Sequence, residues 1–350
     1  MTRRTRYFVL GAIAVLLGGL CTGLVAYYTG MPMGAFAAPE GPPELRYVPA
    51  DASIVAYADV RNLMQSELRR KLHASIEAKD DGHERFKQET GIDIEHDIDR
   101  VVAYIGATGT DGENRGLVFA AGRFDQGRLE AFALQHGGRV ESYGGKRIIV
   151  TSGFDDDDEA DEDEDAGVDQ DASGSQLRKE MAVAFLEPGV VAFGEPAHVR
   201  AAIDSGGGAS VLTNGELMDL VRDVDRSSAW AVGRFDTLMA NAKLPNEIAG
   251  QIPAVRLFAA SSNINGGISG RIRAEARDDE AARNLREVVQ GFLALARLQT
   301  GSNPGFQQVV NSLQLSGTGR TVVLSFDLPQ QVIEALADAR SKAVTHEPPQ

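Results

Sequence analysis

Six histidines, one cysteine and fifty carboxylates are the groups through which this 350-residue chain could do chemistry. Their spacing decides which chemistry that would be. His73, His83 and His96 share one polar region, but no pair stands four residues apart, the spacing that lets two imidazoles on one helix face share a metal ion. Each is expected as a surface or capping residue. Cys21 lies within an apolar run, which removes a cysteine nucleophile. A serine nucleophile needs the strained turn of G-x-S-x-G; its nearest relative here, Gly267-Ile268-Ser269-Gly270, falls inside an expected strand.

Asp161, Asp163 and Asp165 alternate as in an EF-hand loop, yet Ala166 stands where the loop needs Gly and Ala172 where it needs a bidentate Glu. The block is expected to attract cations only loosely. Gly106, Gly109 and Gly112 follow a strand as phosphate loops do, but the next element reads as another strand and no helix N-terminus is offered. Gly144-Gly145-Lys146 lacks the earlier Gly and the hydroxyl of a Walker motif. Paired carboxylates are too abundant for one pair to stand out. No catalytic residue, cofactor-binding residue or metal ligand is assigned, and no cofactor is implied.

The elements that would position any site begin with Tyr7 to Tyr28, an uncharged apolar run of 22 residues preceded by Arg3, Arg4 and Arg6. At 1.5 Å per residue it spans about 33 Å, enough for a hydrocarbon core of about 30 Å. No acid precedes Glu40, so residues 1–6 form a basic cytoplasmic tail and the rest of the chain is exported. The expected result is an uncleaved signal anchor, single-pass in the inner membrane with the bulk of the chain extracytoplasmic. Cleavage after Ala37, in Ala35-Phe36-Ala37, is the alternative. Leu20 is too large for a lipoprotein box before Cys21, and Arg6 spoils a twin-arginine reading.

Net charge is -15, which makes nucleic acid a poor partner. Twelve acids and no base fall within residues 155–171, so residues 152–176 read as a disordered acidic insert. Residues 29–44 form a Pro- and Gly-rich spacer.

From Leu45 onward the pattern is α+β. Ser53 to Ala58 reads as a strand, Asp59 or Asn62 as the cap of a helix carrying Leu63, Met64, Leu68, Leu72 and Ile76. Further strands follow at 101–105 and 117–121, then a helix opened by Asp125 and a hairpin around Gly144-Gly145. Strands at 181–186 and 190–193 and a helix from Pro196 complete a first lobe, 45–204, with 205–215 as a linker. Ser53, Ala56, Val60, Leu63 and Met64 recur 175 residues later as Ser228, Ala231, Phe235, Leu238 and Met239. Val190, Phe193, Pro196, Val199 and Ile203 recur 133 residues later as Val323, Phe326, Pro329, Val332 and Leu336. The second lobe, 216–340, adds strands at 255–261 and 267–276 and a helix over 279–298, before a disordered tail at 341–350. Its helix is expected to turn Leu285, Val288, Val289, Phe292 and Ala296 to one face, and Trp230 is expected in the core. This internal duplication predicts two similar lobes of antiparallel sheet with packed helices, as separate domains or one pseudo-symmetric body.

Tyr47-Val48-Pro49-Ala50-Asp51-Ala52-Ser53 and Phe193-Gly194-Glu195-Pro196-Ala197-His198-Val199 resemble an uncharacterised family of bacterial envelope proteins known by a domain of unknown function. The family supplies no site residues. The expected function is non-enzymatic binding or scaffolding in the cell envelope, with the lipid bilayer and an envelope protein as partners. A lipid or lipoprotein carrier, with Phe292 and Leu295 lining an apolar groove between lobes, is the alternative. A hydrolase with an unrecognised site is the second.

Overall fold

The computed structural model describes residues 41–67, 69, 87–88, 90–106, 116–152, 180–241, 254–264, 266–299 and 304–333. The apolar run 7–28, the spacer as far as Glu40, most of the acidic insert, the Gly109–Gly112 loop, and Leu68, Leu72, Ile76 and Leu336 lie outside them. Among the described residues no helix is long and apolar enough to cross a membrane.

Twelve strands form one antiparallel sheet: β1 Ala52–Ala58, β2 Ile98–Gly106, β3 Gly116–Gly122, β4 Arg139–Tyr143, β5 Lys146–Ser152, β6 Glu180–Glu187, β7 Val190–Gly194, β8 Ala229–Arg234, β9 Val255–Ile264, β10 Gly267–Ala276, β11 Gln314–Ser316 and β12 Thr321–Pro329. Their order is β11-β12-β10-β9-β8-β1-β2-β3-β7-β6-β5-β4. The described helices are α1 Val60–Gln65, α2 Ile94–Asp97, α3 Gln126–Gln135, α4 Pro196–Ser205, α5 Gly215–Val224, α6 Phe235–Asn241, α7 Asp279–Gln299 and α8 Pro304–Ser312. Short 3-10 turns occupy Pro43–Tyr47 and Val211–Thr213.

Local chemistry sets many of these boundaries. The Asp59 carboxylate accepts from Asn62 N at 2.9 Å and Asp125 from Arg128 N at 3.1 Å, each satisfying an orphan donor at a helix start. Gly144 and Gly145 take φ of 55° and 73°, the paired positive values of a two-residue hairpin turn. The expected run of helix from Leu63 towards Ile76 is interrupted. Ser66 is extended at ψ 142°, its hydroxyl donates to Leu63 O and it accepts from Arg69 N, so it stops one turn and opens the next.

The sheet is continuous through both halves of the chain. β1 pairs with β8, with Ala56 opposite Ala231, Val55 opposite Val232 and Tyr57 opposite Trp230. Ala56 and Ala231 match in sequence at the 175-residue offset, and here they face each other. Outward from them, β1-β2-β3-β7 runs one way and β8-β9-β10-β12 the other. Neither half closes a sheet of its own, because the pairing covers what would be two exposed strand edges.

One face of the sheet holds the main core. Val55, Val102, Tyr104, Leu117, Phe119, Trp230, Val232, Leu257 and Ala259 alternate onto it and pack under the Pro43–Tyr47 turn, α4 and α5. Trp230 is buried as expected and stacks on Tyr57 at 5.5 Å between ring centroids. Helix α5 is not among the expected elements, although Asn214 caps it and Leu217, Met218, Leu220, Val221 and Val224 are all buried at helical spacing. Burying those five contributes roughly 7–15 kcal/mol before entropy. Between the halves, Val211 is fully buried and its N–H donates to Val48 O.

The same face buries a carboxylate. Glu44, 2% exposed, accepts from Arg100 Nε at 3.0 Å and from Nη2 at 2.8 Å. A buried carboxylate is tolerated because that fork supplies its counter-charge and hydrogen bonds together. Arg100→Met strands the carboxylate and is expected to lower stability by about 3–5 kcal/mol. Adding Glu44→Gln should restore most of that loss, as measured by urea unfolding midpoints.

Candidate functional site

The opposite face of the sheet is where the register brings distant residues together. One residue per strand from β11 to β4 lies in a single cross-sheet row: Leu315, Leu324, Ile272, Ala260, Ala231, Ala56, Ala103, Val118, Phe193, Val183, Ile149 and Val140. All twelve are apolar. Only Ile149 is fully buried, while Val118, Phe193 and Ile272 are 39%, 43% and 47% exposed. The row beside it, Phe326, Gly270, Ser262, Ala229, Ala58, Val101, Ala120 and Val191, also lacks a charge. A β-carbon at Gly270 would strike the Phe326 ring, so glycine there lets the aromatic lie flat on the sheet. Val118 and Phe193 adjoin in the row, and Ile272 stands five strands away across partly exposed alanines.

Helix α7 flanks this face over β10 and β12. Its first turns sit on small side chains, where Ala281 and Ala282 pack with Ala276 and Val322. Further along the helix Leu293 is buried, whereas Val288, Phe292, Leu295 and Leu298 are 36%, 66%, 50% and 82% exposed. Of the five residues expected on one face, Leu285, Val289 and Ala296 are partly buried, whereas Val288 and Phe292 are exposed. The apolar arc is wider than one packed interface can cover. Phe292 and Leu295 also do not line a groove between lobes, because they stand on the outside of α7.

The polar alternative is a cleft lined by Arg61, Met64, Gln65, Arg69, Glu95, His96 and Arg123. Its cations are already engaged: Arg61 with Asp99, Arg69 with Glu95, and Arg123 with Asp97 and the His96 carbonyl. Asp93 caps α2 by accepting from Glu95 N and His96 N at 3.1 and 3.2 Å, and pairs with Lys87 Nζ at 2.7 Å. The Lys87 hydrogen bond, with help from His96, holds this carboxyl well below the usual range. The cleft's ion pairs tie α1 to β2 through Arg61, and Arg69 and the segment after β3 to α2.

His96 is exposed at this cleft, while His73, His83, Cys21 and the Asp161 to Asp165 triplet lie outside the described residues. Gly267 to Gly270 lies in β10, as expected. Among the described residues no group of three His, Cys, Asp or Glu is placed to hold a metal ion. The exposed row was missed in the sequence because its members are one per strand, and only the pairing register lines them up.

No family model matches the chain, and no curated protein matches it. A solved structure of TP0453, crystal form I, is similar over 87% of this chain and 98% of its own length, at 9% identity and a TM-score of 0.44. That is a weak structural likeness and carries no argument about function. The segments behind the envelope-family resemblance do structural work here: Val48 and Val199 are fully buried, and Tyr47 and Ser53 nearly so.

Asp93→Ala removes a cap and an ion pair and is expected to cost about 1–2 kcal/mol at neutral pH. The folded carboxyl titrates below its unfolded value, so the ionised group's contribution is complete above about pH 5 and fades as pH falls from there towards the folded value. The wild-type advantage, read from urea midpoints, should therefore shrink between pH 5 and strong acid, on the scale of about one cap.

Proposed function

We propose that this chain is a single-pass, membrane-anchored protein of the cell envelope whose extracytoplasmic body acts by non-enzymatic binding or scaffolding. The apolar run Tyr7 to Tyr28 is the anchor and residues 29–40 the tether. The body is an internal duplication: β1-β2-β3-β7 and α4 repeat as β8-β9-β10-β12 and the turn of helix that follows it, joined through Ala56 and Ala231. The observation that carries the reading is the twelve-residue apolar row, which offers a partner an uncharged, partly exposed face crossing both halves.

A second reading, a carrier of a lipid or of the acyl chains of a lipoprotein, is favoured by the same face. Ala260, Ala231, Ala56 and Ala103 keep the middle of the row low between Ile272 and Val118, which suits a flexible apolar chain lying across the strands.

Substituting Phe193→Glu together with Ile272→Glu tests the face, since both side chains are nearly half exposed and the fold should tolerate the change. Native mass spectrometry of the full chain is expected to show a bound apolar mass that the double variant loses, with an unchanged unfolding midpoint. Equal retention by both proteins would sink the assignment. For the anchor, intact mass should include residues 1–37; a mature N-terminus at Ala38 would mean a released, soluble product.

A further inference from the structure

We infer that the outer stripe of α7 lies in the interface of the same bilayer into which residues 7–28 insert, so that the body touches the membrane at a second point. The inference rests on the anchor reading above. Val288, Phe292, Leu295 and Leu298 recur every three or four residues and are all exposed. Arg297 is the only charged residue between 288 and 298, and it stands about 140° round the helix from Phe292. An apolar sector with its charge on another side is the pattern of a helix lying in a membrane surface.

The tether makes the bilayer the favoured occupant. Residues 29–40 reach at most about 40 Å when fully extended, at about 3.3–3.6 Å each. Docking is thus intramolecular, at an effective concentration in the millimolar range. A second copy is a poorer fit: the stripe exposes on the order of 400–500 Å², scaled from about 150–250 Å² for a whole aromatic side chain, against about 800 Å² per partner in a standard interface. The body is net acidic, so the attraction has to be apolar, and the docking should be as good on zwitterionic lipid and indifferent to salt.

The test uses the full chain with Cys21→Ala, carrying one environment-sensitive fluorophore on either Leu295→Cys or Arg283→Cys, reconstituted into phosphatidylcholine vesicles. Brominated acyl chains should quench the label at 295 several-fold, at low and high salt alike, and leave the label at 283 unaffected. Alkaline extraction reports on the anchor separately. If the chain resists extraction while the label at 295 is as unquenched as that at 283, the anchor stands and the α7 inference fails. A label at 295 shielded from aqueous quencher but untouched by brominated lipid means another protein surface covers the stripe, which also overturns it. Extraction of the chain by alkali overturns the anchor, and the inference falls with it.

Discussion

The antiparallel pairing of β1 with β8 is the constraint on which the rest of the structure depends. Both strands are apolar and central, and each would otherwise present a row of unpaired N–H and C=O groups at a hydrophobic edge. Joined with Ala56 opposite Ala231, they turn two runs of strands into one sheet. Every element laid across the middle must then serve both halves. The Pro43–Tyr47 turn and α5 do so, closing a core in which Val55 and Tyr104 share one cluster with Trp230, Val232 and Leu257. The Glu44–Arg100 fork belongs to the same closure, binding the first turn of the body to β2.

The two faces of that sheet answer different physical demands. The covered face is packed to near-complete burial and admits a carboxylate only with its guanidinium partner. The opposite face is just as free of charge along its central rows but is left partly open. Hydrophobic burial is the main term that stabilises folding, so apolar surface that the described residues leave uncovered is a cost to the monomer unless something else covers it. Helix α7 follows the same logic at smaller scale. Its small N-terminal residues pack on Ala276 and Val322, while Val288, Phe292, Leu295 and Leu298 further along are left exposed.

Charge is distributed conservatively. In the Arg61–Arg123 cleft each guanidinium has a carboxylate within reach, and Asp93 spends its charge on two backbone donors and Lys87. Such groups link neighbouring elements and contribute about 1 kcal/mol each at a partly exposed site.

The sequence by itself determined what depends on near neighbours. The strands around Ser53, Val190 and Gly267, the caps at Asp59 and Asp125, and the hairpin at Gly144-Gly145 all read correctly, because period, cap chemistry and positive φ are properties of a few adjacent residues. Helix α5 was equally readable through Asn214 and its apolar spacing. The 175-residue repeat was visible too, but not what it meant in space. Whether two lobes stay apart or share one sheet turns on contacts between residues such as Ala56 and Ala231, far apart along the chain. Only the tertiary structure decided that pairing, the register that sets Phe193, Val118, Ala103 and Ile272 in one apolar row, and the packing that buries Leu293 and leaves Phe292 exposed. A one-residue slip in register would send each of those side chains to the other face, and nothing local to any one strand or helix specifies against it.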